Sequence, residues 1–261
     1  MNMKNDFLRQ LAVIVTTVFA LVMNGAANAI PLNGKTTAAV SDSFNVLFVP
    51  AGYVFSIWGL IYILLLAYTV FHSLPAQRAN DRLRRTGWLV SLGSLANGVW
   101  IYFWHYGYYE LTLLTMLLLL ATLVMTYLRL GIGRARLIGA EKWCLALPFS
   151  VYLGWITVAT IANLTDLLAY WGWNGGGISP QTWTLILLAA GVVIAGVMAF
   201  TRSDIGYLLV LAWAFAGISV RWQTLPVLNL AGYIAAGLVL ALLVVSRLPA
   251  VQKLRLPAAQ R

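Results

Sequence analysis

The dominant pattern along the chain is a series of long apolar runs separated by short polar gaps. Each run approaches the roughly 20 apolar residues that a helix needs to cross the hydrocarbon core of a bilayer. No gap is long enough to hold a soluble domain. The pattern predicts an all-α integral membrane protein with eight transmembrane helices in one membrane domain. The runs lie at about residues 10–30, 50–73, 87–106, 110–129, 143–170, 181–200, 204–221 and 226–246.

The basic residues predict how these helices are oriented. When the gaps are assigned alternately to two faces, fifteen of the seventeen Lys and Arg residues fall on one face. Lys and Arg remain on the cytoplasmic side of a membrane, so we expect a multi-pass protein of a bacterial cytoplasmic membrane with both termini cytoplasmic. The cytoplasmic set is Lys4, Arg9, Arg78, Arg82, Arg84, Arg85, Arg129, Arg134, Arg136, Lys142, Arg202, Arg247, Lys253, Arg255 and Arg261, and the outer set is Lys35 and Arg221.

The composition agrees with a membrane protein and excludes other classes. Hydrophobic residues make up 61% of the chain and charged residues only 9%, whereas soluble domains carry about 25% charged residues. The net charge of +10 would suit nucleic acid, but its location is explained by topology and by contact with anionic lipid. We therefore expect the lipid bilayer, and no nucleic acid, as a partner. The single cysteine, Cys144, cannot form an internal disulfide.

The first run allows a second interpretation. Lys4 and Arg9 precede it, and Ala27-Asn28-Ala29 has the small-residue form of a signal-peptidase site. Cleavage there would leave seven helices with the new N-terminus outside. Retention is favoured, because small residues are also common in membrane helices.

Recognisable catalytic and metal-binding signatures are absent from the sequence. His72 and His105 lie near opposite ends of different runs, so no metal site is expected from them. Asp166 is the only acid inside a run, about one turn from its outer end, and we expect it to extend to the outer surface. An enzyme would need a titratable group in a cavity, and Glu110, Asp166 and His105 are the candidates near the outer side.

Three runs carry aromatic and amide residues at helical spacing, so that each set lies on one helix face. An amide in an apolar helix must find a hydrogen-bond partner, in the protein or in a ligand. Three such faces predict either a helix interface or a pocket for a flat ligand with polar edges. The sets are Phe55, Trp58 and Tyr62; Asn97, Trp100 and Trp104; and Tyr152, Trp155, Ala159 and Asn163.

These sets resemble the motifs of the TspO/MBR family, the tryptophan-rich sensory proteins that include the mitochondrial translocator protein. The segment from Pro50 to Phe55, followed by Trp58 and Tyr62, is similar to the second-helix motif of the family. Asn97 with Trp100 resembles its third-helix motif, and Tyr152-Leu153-Gly154-Trp155 with Ala159, Thr160 and Asn163 resembles its fifth-helix motif. Ala51 replaces the second proline of the family's proline pair, and Val151 replaces the proline before the tyrosine. The resemblance covers about residues 8–172.

The resemblance implies a five-helix bundle that binds porphyrins, sterol-like molecules and aromatic drugs, often as a homodimer. We therefore expect a TspO-like unit over residues 1–174 and, over 175–261, three additional transmembrane helices with a basic cytoplasmic tail. The expected function is a membrane-embedded binding, receptor or sensory protein for flat hydrophobic ligands such as porphyrin, haem or sterol-like molecules, with no required cofactor and no assigned catalytic residue; binding is favoured over catalysis. The ligand-binding residues would be Pro50 and the three sets above. The segment 38–47 would cover the pocket.

Two alternatives remain open. The chain could be a small-molecule transporter that uses the three additional helices as a second element. It shows no internal repeat, and its glycine cluster at 175–177 lies in a gap, whereas transporters commonly show paired broken helices. The chain could also be a membrane enzyme acting on a porphyrin or a lipid.

Overall fold

The computed structural model describes residues 3–249, 251 and 252 of the 261-residue chain, and all regular structure in these residues is helical. Lys253, Arg255 and Arg261, which belong to the predicted basic tail, lie outside the described residues. The α-helices are α1 (Met3–Ala29), α2 (Thr37–Ser41), α3 (Ile57–Ser73), α4 (Asp81–Tyr106), α5 (Tyr109–Leu130), α6 (Leu147–Tyr170), α7 (Pro180–Arg202), α8 (Ile205–Arg221) and α9 (Pro226–Arg247).

The eight long helices correspond to the eight apolar runs, and the differences lie at their ends. Helix α4 begins at Asp81, before its apolar run, because Asn80 caps it by accepting a hydrogen bond from the Arg82 amide at 2.9 Å. Helix α6 is preceded by a wide helical turn over Lys142–Ala146. Helix α4 ends at Tyr106, and the φ of 79° at the following Gly107 allows the chain to turn directly into α5.

Six helical segments of the described chain are long and apolar enough to cross a membrane. Helix α4 is not among them, and α8 has only 17 residues. The structure is therefore that of an all-helical, multi-pass membrane protein. The six segments are Lys4–Ala29, Gly52–Ser73, Tyr109–Leu130, Lys142–Tyr170, Pro180–Arg202 and Pro226–Arg247.

Helices α1, α3, α4, α5 and α6 form a closed ring. Each packs against its two neighbours in the order α1, α4, α5, α6, α3 and back to α1. Polar side chains join α1 to α4: the Asn24 side-chain amide donates to Asn97 Oδ1 at 2.6 Å. Gly98 allows close approach, because a Cβ at that position would overlap the ring of Phe19. The first apolar run is thus an integral wall of the ring.

Helices α7, α8 and α9 pack together beside this ring, and α8 makes the principal contact, against α6. A buried carboxylate holds the junction. Asp204 accepts hydrogen bonds from the Tyr127 hydroxyl at 2.8 Å and the Ser150 hydroxyl at 2.6 Å, and it caps α8 by accepting from the Tyr207 amide at 3.2 Å. Three helices, α5, α6 and α8, are therefore connected through one side chain.

The amide pair generates a stability prediction. Replacing Asn24 with Ala should lower the free energy of unfolding by about 0.6 to 1.7 kcal/mol, the range measured for hydrogen bonds between membrane helices. Asn28→Ala is the matched control, because the Asn28 amide donates only to the Asn24 carbonyl of its own helix at 3.0 Å. Unfolding in mixed micelles measures both variants, and equal stability of the two would contradict an interhelical role for Asn24.

Candidate ligand-binding site

A narrow pocket lies inside the ring, at the end opposite to Arg82, Arg84 and Arg85 at the start of α4. Its cavity volume is about 40 Å³, which is room for a few water molecules. Its walls come from α3, α4 and α6 and from residues 37–55, which belong to the connection between α1 and α3 and include α2. The lining residues are Thr37, Ser41, Val49, Pro50, Phe55, Trp58, Trp100, Trp104, Trp155, Val158, Ala159, Ala162, Asn163 and Asp166.

Trp58 lies at the centre of the aromatic residues in this pocket. Its ring is stacked on Trp100, with centroids 6.3 Å apart and an interplanar angle of 28°. The Trp155 ring meets Trp58 edge to face at 6.2 Å, and Phe55 meets Trp155 at 5.8 Å. These separations are typical of aromatic rings in direct contact. The aromatic rings from α3, α4 and α6 therefore pack against one another in the space between these three helices.

A second part of the aromatic cluster reaches the segment 30–56 between α1 and α3, which we call the cover. Trp104 stacks on Trp100 at 5.6 Å and on Phe44 at 5.8 Å, and Phe44 meets Tyr109 of α5 at 4.9 Å. Phe44 belongs to the segment between α2 and α3. The cover thus packs into the same series of rings that lines the pocket.

Four buried polar atoms in the lining have no hydrogen-bond partner within the described chain. Two are donors, the indole nitrogens of Trp100 and Trp155, and two are acceptors, Asn163 Oδ1 and Asp166 Oδ1. Asp166 is only 3% exposed. Buried polar atoms are nearly always paired, because an unpaired one costs about 1–3 kcal/mol. The pocket therefore offers both donors and acceptors to a molecule that enters it.

Polar contacts with α4 hold the first part of the cover. The Trp104 indole donates to the Thr37 carbonyl at 3.2 Å. His105 Nδ1 lies 3.0 Å from the Leu32 carbonyl, which can only accept, so this nitrogen carries the proton. In the neutral ring, Nε2 then accepts from the Thr37 hydroxyl at 3.2 Å. His105 therefore connects α4 to Leu32 and to Thr37, the first residue of α2.

Helix α8 holds the second part of the cover. Arg221 pairs with Asp42 at 2.8 Å, and the Trp222 indole donates to the Leu47 carbonyl at 2.8 Å. The Ala51 amide donates to the Gly217 carbonyl at 3.0 Å, where the lack of a side chain allows Val54 to approach. No residue of 175–261 lines the pocket within the described chain, yet α8 fixes the segment that closes it.

The structure brings eight of the eleven predicted site residues to the pocket: Pro50, Phe55, Trp58, Trp100, Trp104, Trp155, Ala159 and Asn163. The other three lie beside it. Asn97 Oδ1 accepts a hydrogen bond from Asn24 of α1, and Asn97 is not among the residues that line the pocket. Tyr62 and Tyr152 contact the Trp58 ring at 5.5 and 6.0 Å without lining the pocket.

Six lining residues were not predicted: Thr37, Ser41, Val49, Val158, Ala162 and Asp166. Helical spacing could have identified two of them, because Ala162 and Asp166 continue the face of α6 that carries Trp155, Ala159 and Asn163. Asp166 was expected to extend to the outer surface, and this is wrong, because the carboxyl group is buried in the pocket. The residues of segment 37–49 carry no periodic signal.

The three titratable groups considered for an enzyme do not meet at one point. Glu110 accepts a hydrogen bond from the exposed Trp171 indole at 2.9 Å, and His105 fastens the cover. Only Asp166 lines the pocket. In the described residues, no group of three or more His, Cys, Asp or Glu side chains could hold a metal ion.

Comparison with known families identifies a relationship that spans nearly the whole chain. A family model described as TSPO-like protein matches residues 10–245, from α1 into α9. The match extends beyond the motifs at 8–172 and includes α7 and α8. Neither the curated proteins nor the solved structures contain a match. The chain belongs to the TSPO-like protein family.

Proposed function

We propose that this protein is a membrane-embedded binding or sensory protein for flat hydrophobic molecules with polar edges, such as porphyrin, haem or a sterol-like compound. The observation that carries this proposal is the set of four unpartnered polar atoms among stacked aromatic rings. Ring faces suit a planar apolar body, and the indole, amide and carboxyl groups suit its polar edge. Membership of the TSPO-like family supports the same assignment.

The pocket must enlarge before it can hold a ligand of this size. Pockets for drug-sized ligands occupy about 300–1,000 Å³, and this one has a cavity of about 40 Å³. A tetrapyrrole therefore needs the rings of Trp58, Trp100 and Trp155 to separate and the cover to move. We propose that the described state is the closed state and that the ligand selects an open one.

The cover is suited to such movement because the polar contacts that hold it in place are weak. The Asp42–Arg221 pair is partly exposed, and exposed ion pairs contribute about 0–1 kcal/mol. The other polar contacts are single hydrogen bonds, such as that from the Trp222 indole to the Leu47 carbonyl, and the Phe44 ring packs against Trp104 and Tyr109. We propose residues 1–174 as the ligand-binding unit and α7–α9 as a support that sets how readily the cover opens.

We further propose that all eight long helices cross the membrane, with both termini cytoplasmic and the pocket toward the outer side. The unequal distribution of Lys and Arg supports this orientation. Helix α4 would cross as part of the ring, where its polar residues face other helices.

The aromatic site predicts a graded loss of ligand binding. Trp155→Ala should weaken protoporphyrin binding by about 5- to 150-fold, because stacking of a flat ligand on one ring contributes about 1–3 kcal/mol. Trp155→Phe, which keeps a ring but removes the indole donor, should lose less. Titration followed by porphyrin absorbance measures both, with Trp88→Ala as control, because Trp88 is exposed on α4. Equal affinities of folded Trp155→Ala and Trp88→Ala would show that Trp155 is core packing only.

The cover predicts a kinetic effect. Arg221→Gln should accelerate porphyrin association by up to about 5-fold, because it removes an ion pair that stabilises the closed state by at most about 1 kcal/mol. Exchanging the charges, as Asp42→Arg with Arg221→Asp, should restore the slower rate. Stopped-flow tryptophan quenching measures the rates, and Glu141→Gln, which breaks the Arg82–Glu141 pair at the other end, is the control. An unchanged rate in Arg221→Gln, or an equal change in the control, would refute this role of the ion pair.

The topology predicts the positions of reporters. A reporter fused after Arg261, and another inserted between Arg82 and Arg85, should both be cytoplasmic in cells. An external reporter at the C-terminus would contradict the assignment of eight crossings.

A further inference from the structure

A second cavity, of about 530 Å³, lies at the basic end of the bundle. It is formed where the α5–α6 connection, the α7–α8 turn and the end of α9 meet. The lining residues are Ile132, Gly133, Ala135, Leu137, Lys142, Ala146, Leu147, Ser150, Arg202, Ser203, Asp204, Ile205, Gly206, Arg247 and Gln252.

The charge of this cavity is predominantly positive. Lys142, Arg202 and Arg247 line it, and Arg134 lies close enough to Arg202 for their like charges to repel. None of these four cations forms an ion pair with a carboxylate in residues 3–249, 251 and 252. Among the described residues that line the cavity, Asp204 is the one acid.

Asp204 does not neutralise these cations by direct contact. Its carboxylate is turned into the protein, where the Tyr127 and Ser150 hydroxyls and the Tyr207 amide donate to it. The residue is only 7% exposed. Helix α8 begins at this point, so the positive end of its dipole also lies at the cavity.

The two arginines are held in place by backbone carbonyls. Arg202 donates to the Ile132 carbonyl at 3.3 Å and lies over the Tyr127 ring at 5.7 Å. Arg247 donates to the Ser203 carbonyl at 2.9 Å. Gly133, with a φ of 77°, brings the α5–α6 connection directly against the end of α7, where any side chain would overlap the Arg202 carbonyl. Each guanidinium thus keeps further N–H groups for a ligand in a fixed orientation.

We infer that this cavity binds a phosphate group. The planar guanidinium matches phosphate oxygens through paired hydrogen bonds. Basic pockets between membrane helices on the cytoplasmic side hold anionic lipid headgroups. The same chemistry accepts the phosphate of a soluble compound, so an anionic phospholipid and free phosphate are the two sources to distinguish.

The test uses the full chain in detergent, titrated with dioleoylphosphatidylglycerol, dioleoylphosphatidylcholine and inorganic phosphate. Native mass spectrometry counts bound lipid, and thermal unfolding reports stabilisation by each compound. The double variant Arg202→Gln, Arg247→Gln should bind phosphatidylglycerol about 25-fold more weakly, since each basic residue contributes about 5-fold. The control is Arg85→Gln with Arg129→Gln, which removes two exposed cations from the same end and should retain binding.

The outcomes separate the sources. Preference for phosphatidylglycerol over phosphatidylcholine, lost only in the cavity variant, supports a headgroup site. Stabilisation by inorganic phosphate, also lost only in that variant, supports a soluble phosphate ligand. Equal losses in both double variants, or no preference among the three compounds, would overturn the site. If the cavity variant does not fold, Lys142→Gln replaces it, with an expected loss of about 5-fold.

Discussion

A polar atom buried among apolar helices must find a partner, and this constraint organises the whole structure. The Asn24 side-chain amide donates to Asn97 Oδ1 across α1 and α4, and Asp204 gathers donors from α5, α6 and α8. Asn229 of α9 donates to the Ser219 carbonyl of α8 at 2.9 Å. Because hydrophobic burial gives little preference between lipid and protein neighbours inside a bilayer, these few pairings determine which helices adjoin.

The exceptions to this pairing have a clear distribution. One group comprises the indole nitrogens, Asn163 and Asp166 of the aromatic pocket. The other comprises the ring nitrogens of His72, Nε of Arg9 and the hydroxyls of Tyr68 and Thr69, which have no partner within the described chain. Nδ2 of Asn97 is a further unpartnered atom outside these two groups. In the first group, donors and acceptors lie among flat aromatic rings, and this combination supports our proposal that the pocket is a ligand site. The second group lies beside a smaller set of rings, in which Tyr68 lies 5.5 Å from the His72 ring and 5.0 Å from the Phe149 ring.

The sequence predicted the helices and much of the pocket wall, because both follow from periodicity. Apolar length located the eight long helices, and the stripes on α3, α4 and α6 located Trp58, Trp100 and Trp155. It could not show that Asn97 faces α1, because an amide stripe does not reveal which neighbour it meets. Nor could it show that Arg221 and Trp222 hold the cover in place, because the hydrogen bond from Trp222 to Leu47 joins residues that are 175 positions apart. Asp166 was misjudged for a related reason: depth along a helix does not determine which side of the helix faces lipid.

The closed pocket links the fold to the proposed function. The same rings that would hold a ligand now stabilise one another, so binding exchanges ring–ring contacts for ring–ligand contacts. The most direct measurement is an experimentally determined structure of the full chain with protoporphyrin bound. The account predicts the porphyrin against Trp58, Trp100 and Trp155, with the Trp58–Trp100 centroids farther apart than the present 6.3 Å and a polar edge near Asn163 and Asp166. A porphyrin bound elsewhere, with these rings still in contact, would contradict it.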